Sequence, residues 1–333
     1  MLKYIIRRLL MMIPMMVLVS MVSFMLIELP PGDFMTQQIT NWELSGLQVS
    51  QQEIDSMVRR FGLDQPVHIR YMTWVKRLVI DQDLGISFEY QRPVMELIKE
   101  RLPATMILVT ISLLVSWAVA IPAGIYSATH QYSILDYLFT FFGFVGMGSP
   151  GFLVAMILAW ISIRYFHFSP IGLMSMDYIG KAWDWPKFID VMKHAWFPIL
   201  VMSLSGTGGL MRTMRNNLLD ELGKQYVMTA RAKGLPFGKL LMKYPVRLAL
   251  NPVIVGTAGI LPGLFAGGGL IAIVLGLDTI GPLLLMAVQA QDMYVAGSIL
   301  TILGALIMLG NFLSDLVLAA VDPRVRLGAG VVR

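Results

Sequence analysis

The sequence predicts an all-α polytopic membrane protein with six transmembrane helices and a helical segment outside the membrane after the first of them. Of its 333 residues, 56% are hydrophobic and only 14% are charged. Soluble domains usually carry about 25% charged residues, so this composition indicates a chain embedded in lipid. The apolar residues also gather into long runs, and about 20 apolar residues suffice to cross a bilayer.

Six apolar runs have the length of a membrane span. They are residues 9–29, 102–127, 135–163, 196–214, 252–275 and 295–320. The first run follows a basic N-terminus, as in a signal peptide, but no small-x-small cleavage site comes after Ile27. We therefore expect an uncleaved first helix. Prolines and glycines interrupt several runs, which membrane helices tolerate where neighbouring helices or a cavity satisfy the freed backbone groups.

The distribution of lysine and arginine predicts the orientation. Basic residues are dense at the N-terminus, between 212 and 247 and near the C-terminus, whereas residues 276–294 contain none. Short cytoplasmic loops carry the excess of Lys and Arg. We therefore expect both termini and the 215–250 loop to be cytoplasmic, and an even number of spans agrees with this orientation.

This layout divides the chain into four regions. They are an N-terminal transmembrane helix (1–29), an external helical segment (30–101), a five-helix membrane core (102–320) with a cytoplasmic loop at 220–251, and a cytoplasmic tail (321–333). In the external segment, Ser50-Gln51-Gln52-Glu53 resembles a capping box, and residues 67–80 have the spacing of an amphipathic helix. The segment is either a small cap on the outer face or a docking surface for an external binding protein, and both interpretations remain open.

The composition argues against several classes of site. The chain has no cysteine, so it has neither disulfides nor a thiolate metal site. Its four histidines are widely spaced and form no HExxH motif, so we expect no metal site. Membrane topology explains the net charge of +5 better than nucleic-acid binding does. No G-x-x-x-x-G-K-[ST] phosphate loop occurs, so we expect this chain to bind no cofactor and to hydrolyse no ATP.

Two competing hypotheses are a passive channel or secondary carrier and a membrane enzyme. Charged residues within the apolar runs are scarce, and they form no acidic series of the kind that proton-coupled carriers use. His194 lies at the edge of a run and His167 lies outside one, which leaves no Ser–His pair at bilayer depth. A channel or carrier would transport without ATP and would not depend on the basic loop described next.

A polar, basic segment at 226–235 separates the fourth and fifth apolar runs. Residues 229–233 favour a short helix, Gly234 suits the left-handed position that closes a helix, and Pro236 prevents its continuation. We expect its two alanines to permit close approach of a partner and its arginine and lysine to pair with acidic groups there. The candidate coupling residues are Tyr226, Thr229, Ala230, Arg231, Ala232, Lys233 and Gly234. By composition alone, an ordinary basic loop obeying the positive-inside rule is the simpler interpretation.

The order of residues in this loop favours the coupling interpretation. In the oligopeptide/dipeptide branch of the ABC importer permeases the loop reads approximately E-x-Y-x-x-T-A-R-A-K-G, followed by a basic helix ending in R-N-A-L-x-P. The chain resembles that family at Tyr226, residues 229–234, Arg247, Ala249-Leu250 and Pro252. Further similar stretches are Tyr4–Leu10, Pro31–Asp33, Phe61–Pro66, Asp83–Ser87, Arg92–Val94, Arg101–Thr105 and Asp322–Arg326.

The resemblance implies a type I ABC importer permease in the bacterial inner membrane, forming half of a translocation path. It also implies three kinds of protein partner: a second related permease chain, two ATPase subunits and an extracytoplasmic solute-binding protein. ATP and Mg²⁺ would bind to the ATPase subunits. The 226–235 loop would transmit closure of the ATPase pair to the spans.

The cargo stays open, because relatives of this shape carry oligosaccharides or nickel complexes as well as peptides. Peptides are the family default. Several positions depart from the family pattern, among them Tyr244, Leu248 and the turn Asp278-Thr279-Ile280-Gly281. These departures make oligosaccharides the alternative cargo.

Glycine-rich stretches in the third and fifth runs are candidates for the pore or gate. Small residues let membrane helices pack closely, and they also leave backbone available to line a path. The candidate pore residues are Gly148, Ser149, Pro150, Pro262, Gly263, Gly267 and Gly268. Tight helix packing is the other interpretation of the same residues.

Overall fold

The structure is a computed structural model that describes residues 2–28, 39, 50, 52, 54, 58 and 64–321. Its helices are α1 (Leu2–Glu28), α2 (Val67–Lys76), α3 (Val94–Thr129), α4 (Ile134–Gly148), α5 (Gly151–Phe166), α6 (Trp185–Leu222), α7 (Gln225–Ala232), α8 (Phe237–Lys243), α9 (Pro245–Val274), α10 (Ile280–Gln289) and α11 (Met293–Val321). A π-helical turn continues α2, and a 3₁₀ turn precedes α6. Gln51 and Glu53 of the predicted capping box, and all of the predicted tail after residue 321, lie outside the described residues.

The predicted all-α class is confirmed. Apart from one isolated β-bridge between Ile86 and Pro93, the regular structure in the described part of the chain is helical. Within that part, α1, α3 and α11 are long and apolar enough to cross a membrane, and two bent helix pairs raise the candidate spans to five. These five candidates coincide with five of the six predicted runs.

The fourth predicted run lies in α6, which is not among the candidate spans found in the described residues. Residues 203–209, rich in serine, glycine and threonine, lower the hydropathy of this 38-residue helix. They do not need to face lipid, because α6 packs against α4, α5 and α9. Ser116 Oγ of α3 also donates a hydrogen bond to the Ser203 carbonyl oxygen at 2.9 Å. Small and polar residues are typical of such helix–helix contacts in membranes.

The third predicted run, 135–163, is not the single helix that we expected. It forms α4 and α5, whose axes meet at 112°. Ser149 has an extended backbone, and Pro150 precedes α5 with φ −57° and ψ 128°. Because proline has no N–H to donate and its ring collides with the preceding turn, the helix cannot continue through this junction.

The fifth predicted run is also bent, by 54°. It lies in α9, which contains Pro252 and Pro262. The bend falls in the turn before Pro262, where the missing N–H and the bulk of the ring open the helical ladder.

Direct backbone contact holds α4 against α6. A Cβ atom on Gly208 would lie 2.2 Å from the Gly143 carbonyl oxygen, and one on Gly146 would lie 2.7 Å from the Leu204 carbonyl oxygen. Neither backbone atom can yield as a flexible side chain can, so glycine is required at both places. This close approach fixes the position of α4 beside the middle of α6.

Two compact units make up the chain. The larger comprises Met1–Ile5, Ala104–Gly281 and Ile307–Arg333, and the smaller comprises Ile6–Pro103 and Pro282–Leu306. The smaller unit has a largely aromatic core, whose buried members are Phe24, Trp74, Phe88 and Met293. The larger unit contains the sites described below.

Within the smaller unit, two stretches that resemble the family pair with each other. Ser87 donates its backbone N–H to the Arg92 carbonyl oxygen at 2.9 Å, and Val94 donates to the Gly85 carbonyl oxygen at 3.0 Å. Gly85 has a positive φ of 84° and faces the Tyr294 ring, which would lie 2.8 Å from an added Cβ. The glycine is therefore required both by its backbone conformation and by the close approach of the ring.

A buried carboxylate fixes this pair of stretches to the start of α11. Asp292 is fully buried and accepts hydrogen bonds from Ser87 Oγ at 2.6 Å and from the backbone N–H groups of Glu89 and Val295, each at 3.2 Å. Burial raises the pKa of the Asp292 carboxyl, and the hydrogen bonds to the charged form oppose that rise. Removal of the carboxylate would leave these donors without an acceptor in a buried place.

Candidate functional site

The predicted coupling segment forms a short helix, α7, with a well-defined end. Gly234 has a φ of 78°, which confirms the left-handed position predicted for it. Its N–H donates to the Arg231 carbonyl oxygen at 2.9 Å, and the Leu235 N–H donates to the Ala230 carbonyl oxygen at 3.4 Å. This pair of hydrogen bonds is the Schellman motif, which glycine favours because it lacks a Cβ. The chain then turns at Pro236 into α8.

One face of α7 packs against its own chain. Val227 is 1% exposed and Ala230 is 8% exposed, and both lie in a small core with Leu240 of α8. Tyr226 and Tyr244 pack against the edge of this core. Of the two alanines, Ala230 therefore packs within its own chain and only Ala232 is exposed. That they permit close approach of a partner stays a prediction.

The opposite face of α7 is open. The exposed residues of this segment are Met228, Thr229, Arg231, Ala232, Lys233 and Gly234. Met228 is 66% exposed and places a large apolar side chain on this surface. The guanidinium carbon of Arg231 lies 6.0 Å from the centroid of the Phe237 ring. This surface therefore combines an apolar centre with two cations.

Glu221 connects α7 to the end of α6. Tyr226 donates its hydroxyl hydrogen to Glu221 Oε2 at 2.5 Å, and Lys224 Nζ contacts the other carboxylate oxygen. Burial and the neighbouring carboxylate raise the pKa of the Tyr226 hydroxyl, so this group stays a donor at physiological pH. Sequence reasoning missed Glu221. The signal that could have found it is a carboxylate three residues before a lysine and five before the tyrosine, at a helix end.

Three of the candidate pore residues share a cleft in the larger unit. The α9 cleft has a volume of about 270 Å³ and lies between α9, α6 and the start of α5. It is lined by Gly151, Met202, Ser205, Gly206, Gly263, Leu264, Gly267, Gly268 and Ile271. Gly148, Ser149 and Pro150 form the junction just before Gly151, and Pro262 precedes Gly263, but these four are not among the lining residues.

The glycines of the α9 cleft differ in the space beside them. An added Cβ at Gly263 or Gly267 would meet no atom of the described chain within 4 Å, whereas one at Gly268 would lie 2.5 Å from Met202 Cε. Gly263 and Gly267 are four residues apart and therefore lie on one face of α9. Sequence reasoning found these glycines but missed Met202 and Ser205, which belong to α6.

Among the described residues, no three His, Asp or Glu side chains are placed to hold a metal ion. The arrangement instead provides an exposed short helix, a mechanical connection from it to a long helix, and a glycine-lined cleft on the same long helix.

Comparison with known proteins places these features in a family. The description "binding-protein-dependent transport system inner membrane component" matches residues 120–327, and its N-terminal counterpart matches residues 1–109. The oligopeptide transport system permease protein AppB of Bacillus subtilis is 31% identical over 323 residues, covering 97% of this chain and 98% of that protein. OppB of Mycobacterium tuberculosis, also an oligopeptide transport system permease, is 29% identical over 316 residues, covering 91% and 96%. The peptidoglycan transport system permease protein YejB of Agrobacterium fabrum is 29% identical over 356 residues, covering 97% of each chain.

Proposed function

The chain belongs to the family of binding-protein-dependent transport system inner membrane components, and we propose that it couples ATP hydrolysis on partner subunits to the import of peptides. Membership makes it an ABC importer permease of the peptide transport family, a multi-pass inner membrane protein and not itself an enzyme. We further propose that α7 meets the ATPases, that the α9 cleft belongs to the translocation path, and that peptides are the cargo.

The observation that carries the proposal is the architecture of α7. A helix of eight residues is too short to be stable alone, yet α7 is fixed at its start by Glu221 and at its end by the Schellman motif. Its buried face is occupied by its own chain, which leaves Met228, Arg231 and Lys233 directed outward. A rigid, exposed helix of this kind suits docking to a second protein, and its cations suit an acidic surface.

The orientation follows from charge. The α6–α9 connection carries Lys224, Arg231, Lys233, Lys239 and Lys243, and the excess of basic residues marks the cytoplasmic side. Both termini lie on the same side in this arrangement. ATP is available in the cytoplasm, so α7 is on the side where ATPases are found.

The α9 cleft is the proposed part of the translocation path in this chain. Gly263 and Gly267 present bare backbone to open space, and α9 is bent near Pro262. Exposed backbone at membrane depth is tolerated only where it lines a cavity or packs on protein. A second, related permease chain would supply the other half of the path.

Peptide is the proposed cargo, since the Bacillus and Mycobacterium relatives are named as oligopeptide permeases. The Agrobacterium relative, named for peptidoglycan transport, favours a second class, because peptidoglycan contains sugar as well as peptide. An external solute-binding protein would deliver either cargo and set most of the selectivity.

Purification of the transporter tests the proposal. A tagged chain is extracted in mild detergent from cells that express its transport system, and the recovered proteins are identified. We expect a second permease and two ATPases. Arg231→Glu should lower ATPase recovery about tenfold or more, since it sets like charges against each other. Lys99→Glu makes the same charge change at an exposed site on α3 and should have no effect.

Two results would overturn the parts of this proposal separately. Recovery of the chain without any ATPase would favour a passive channel or a secondary carrier. Recovery of the full assembly with a binding protein that takes up oligosaccharides and not oligopeptides would keep the coupling and change the cargo.

A further inference from the structure

A second cleft in the larger unit lies at the proposed cytoplasmic end of the membrane core, away from the α9 cleft. The α4 cleft has a volume of about 390 Å³ and lies between α4, the loop before it and the last third of α6. Its polar lining is formed by Tyr132, Asp136, Tyr137, Thr140, Arg212, Arg215 and Asn216. None of these residues belongs to α7 or to the candidate pore.

Asp136, the only carboxylate among the described residues that line the cleft, is neutralised within the chain. Arg215 donates to both oxygens of Asp136, from Nε at 3.3 Å and from Nη2 at 3.2 Å. The Tyr132 backbone N–H also donates to Asp136, at 3.0 Å. The Asp136 side chain is 5% exposed. The pair therefore contributes little net charge to the cleft, and it holds Arg215 in a fixed place.

Arg212 supplies an uncompensated positive charge. Its guanidinium carbon lies 4.3 Å from the centroid of the Phe144 ring. Among the residues that the structure describes, Arg212 forms no salt bridge or hydrogen bond, and its side chain is exposed. Stacking on the ring leaves its N–H groups available at the edge of the plane, where they can meet an anion. The cleft therefore carries one excess positive charge beside the hydroxyl and amide donors of Tyr137 and Asn216.

The surroundings of the cleft match the headgroup region of a membrane. Tyr132 and Tyr137 are exposed, as are the apolar side chains of Leu138 and Phe141 further along α4. Exposed tyrosines next to an apolar surface are typical of the membrane–water interface. The cytoplasmic leaflet is also the one rich in anionic lipid, and the position of the cleft at that leaflet rests on the proposed orientation.

We propose that the α4 cleft binds an anionic phosphate group, carried by a phospholipid headgroup or present as free phosphate. Arg212 pairs with the phosphate oxygens, Asn216 and Tyr137 donate hydrogen bonds, and the Asp136–Arg215 pair keeps the far wall in place. Lipid chains would then lie along the exposed apolar side of α4.

Native mass spectrometry of the purified full chain tests this site. The chain is exchanged into detergent that contains phosphatidylglycerol, phosphatidylcholine or inorganic phosphate, and the retained ligand is measured. We expect one retained phosphatidylglycerol, with Arg212→Gln lowering its occupancy about fivefold to tenfold, as for the loss of one charge-assisted contact at the membrane surface. Arg212→Lys should keep most of the binding. Arg164→Gln, which also removes an exposed arginine near an aromatic ring, should change nothing.

The phosphate arm distinguishes the two sources. Displacement of the lipid by millimolar inorganic phosphate, or retention of phosphate without lipid, supports an anion site and identifies free phosphate as a ligand. Absence of any retained anion, or equal losses in the Arg212→Gln and Arg164→Gln variants, would overturn the proposal. Asn216→Ala should weaken binding too, so the site stays testable even where Arg212→Gln lowers the unfolding temperature. ATPases are absent from this measurement, so its failure is separate from a failure of the proposed coupling.

Discussion

Tyr226 donates a 2.5 Å hydrogen bond to Glu221, joining the first turn of α7 to the last turn of α6 across Gly223. The same α6 carries Met202 and Ser205 into the α9 cleft. A displacement of α7 is thus applied to the end of a 38-residue helix that contacts the proposed path. In the proposed function this connection carries closure of the ATPases into the membrane.

Loss of this hydrogen bond should loosen α7. Tyr226→Phe removes only the hydroxyl, and a hydrogen bond to a charged group contributes about 1.5–3 kcal/mol. We expect hydrogen–deuterium exchange in residues 225–232 to accelerate roughly tenfold or more and ATP-driven uptake to fall. Tyr165→Phe removes an exposed hydroxyl elsewhere and serves as the control. Unchanged exchange in α7 after Tyr226→Phe would show that Glu221 does not hold it.

Gly234 should matter at the end of α7 only because of its left-handed backbone conformation, and not because of lack of space. An added Cβ at Gly234 meets no atom within 4 Å, so Gly234→Ala introduces no clash and only forces alanine into a left-handed backbone, at a cost of about 1 kcal/mol. We expect coupling and the protection of α7 to decrease. Gly223→Ala is the matched control, since Gly223 has a φ of −80° that alanine readily adopts. Equal behaviour of the two variants in the same exchange measurement would contradict this account.

The contact between α4 and α6 should tolerate no side chain at Gly208. Gly208→Ala would place Cβ 2.2 Å from the Gly143 carbonyl oxygen, and such overpacking typically costs about 1–3 kcal/mol. The adjacent Gly209 meets no atom within 4 Å, and Gly209→Ala should be neutral or stabilising by up to about 1 kcal/mol. The unfolding temperatures of the two variants are measured in detergent. If Gly209→Ala lowers the unfolding temperature as much as Gly208→Ala does, the tight contact lies elsewhere.

The α9 cleft should be needed for transport and not for assembly. Gly267→Leu fills open space in the cleft, so we expect it to block most of the uptake in reconstituted vesicles while the ATPases still co-purify. Gly256→Leu lies on the same helix beside open space, outside the lining of the cleft, and should leave more of the uptake intact. If the Gly267→Leu transporter imports as well as the Gly256→Leu transporter, the path lies elsewhere.

Sequence reasoning succeeded where a local rule decides the structure. Gly234 was predicted to be left-handed because a helix-forming run ends there and a proline follows two residues later, and these cues are contained within ten residues. The positions of the five candidate spans likewise follow from the local density of apolar residues.

It failed where a local pattern allows more than one outcome, or where distant residues decide the outcome. The break between α4 and α5 at Pro150 is local in cause, yet proline is common in membrane helices, so the sequence does not show which proline bends a helix. The burial of Ala230 was not predicted, because a helix of eight residues has too few turns for periodicity to identify its buried face. The contact of Gly143 with Gly208 joins residues 65 positions apart in the sequence, and no local pattern around either glycine predicts it.

Single-cysteine cross-linking tests the central claim, that α7 docks on a cytoplasmic ATPase. The chain has no cysteine of its own, so Met228→Cys, at an exposed site, and Val227→Cys, at a buried neighbouring site, give a matched pair. The assembled transporter is treated with a short thiol-to-amine cross-linker, with and without ATP. We predict an ATPase cross-link from Cys at 228 and little from Cys at 227, whereas absence of any ATPase product from position 228 in an intact assembly would contradict the account.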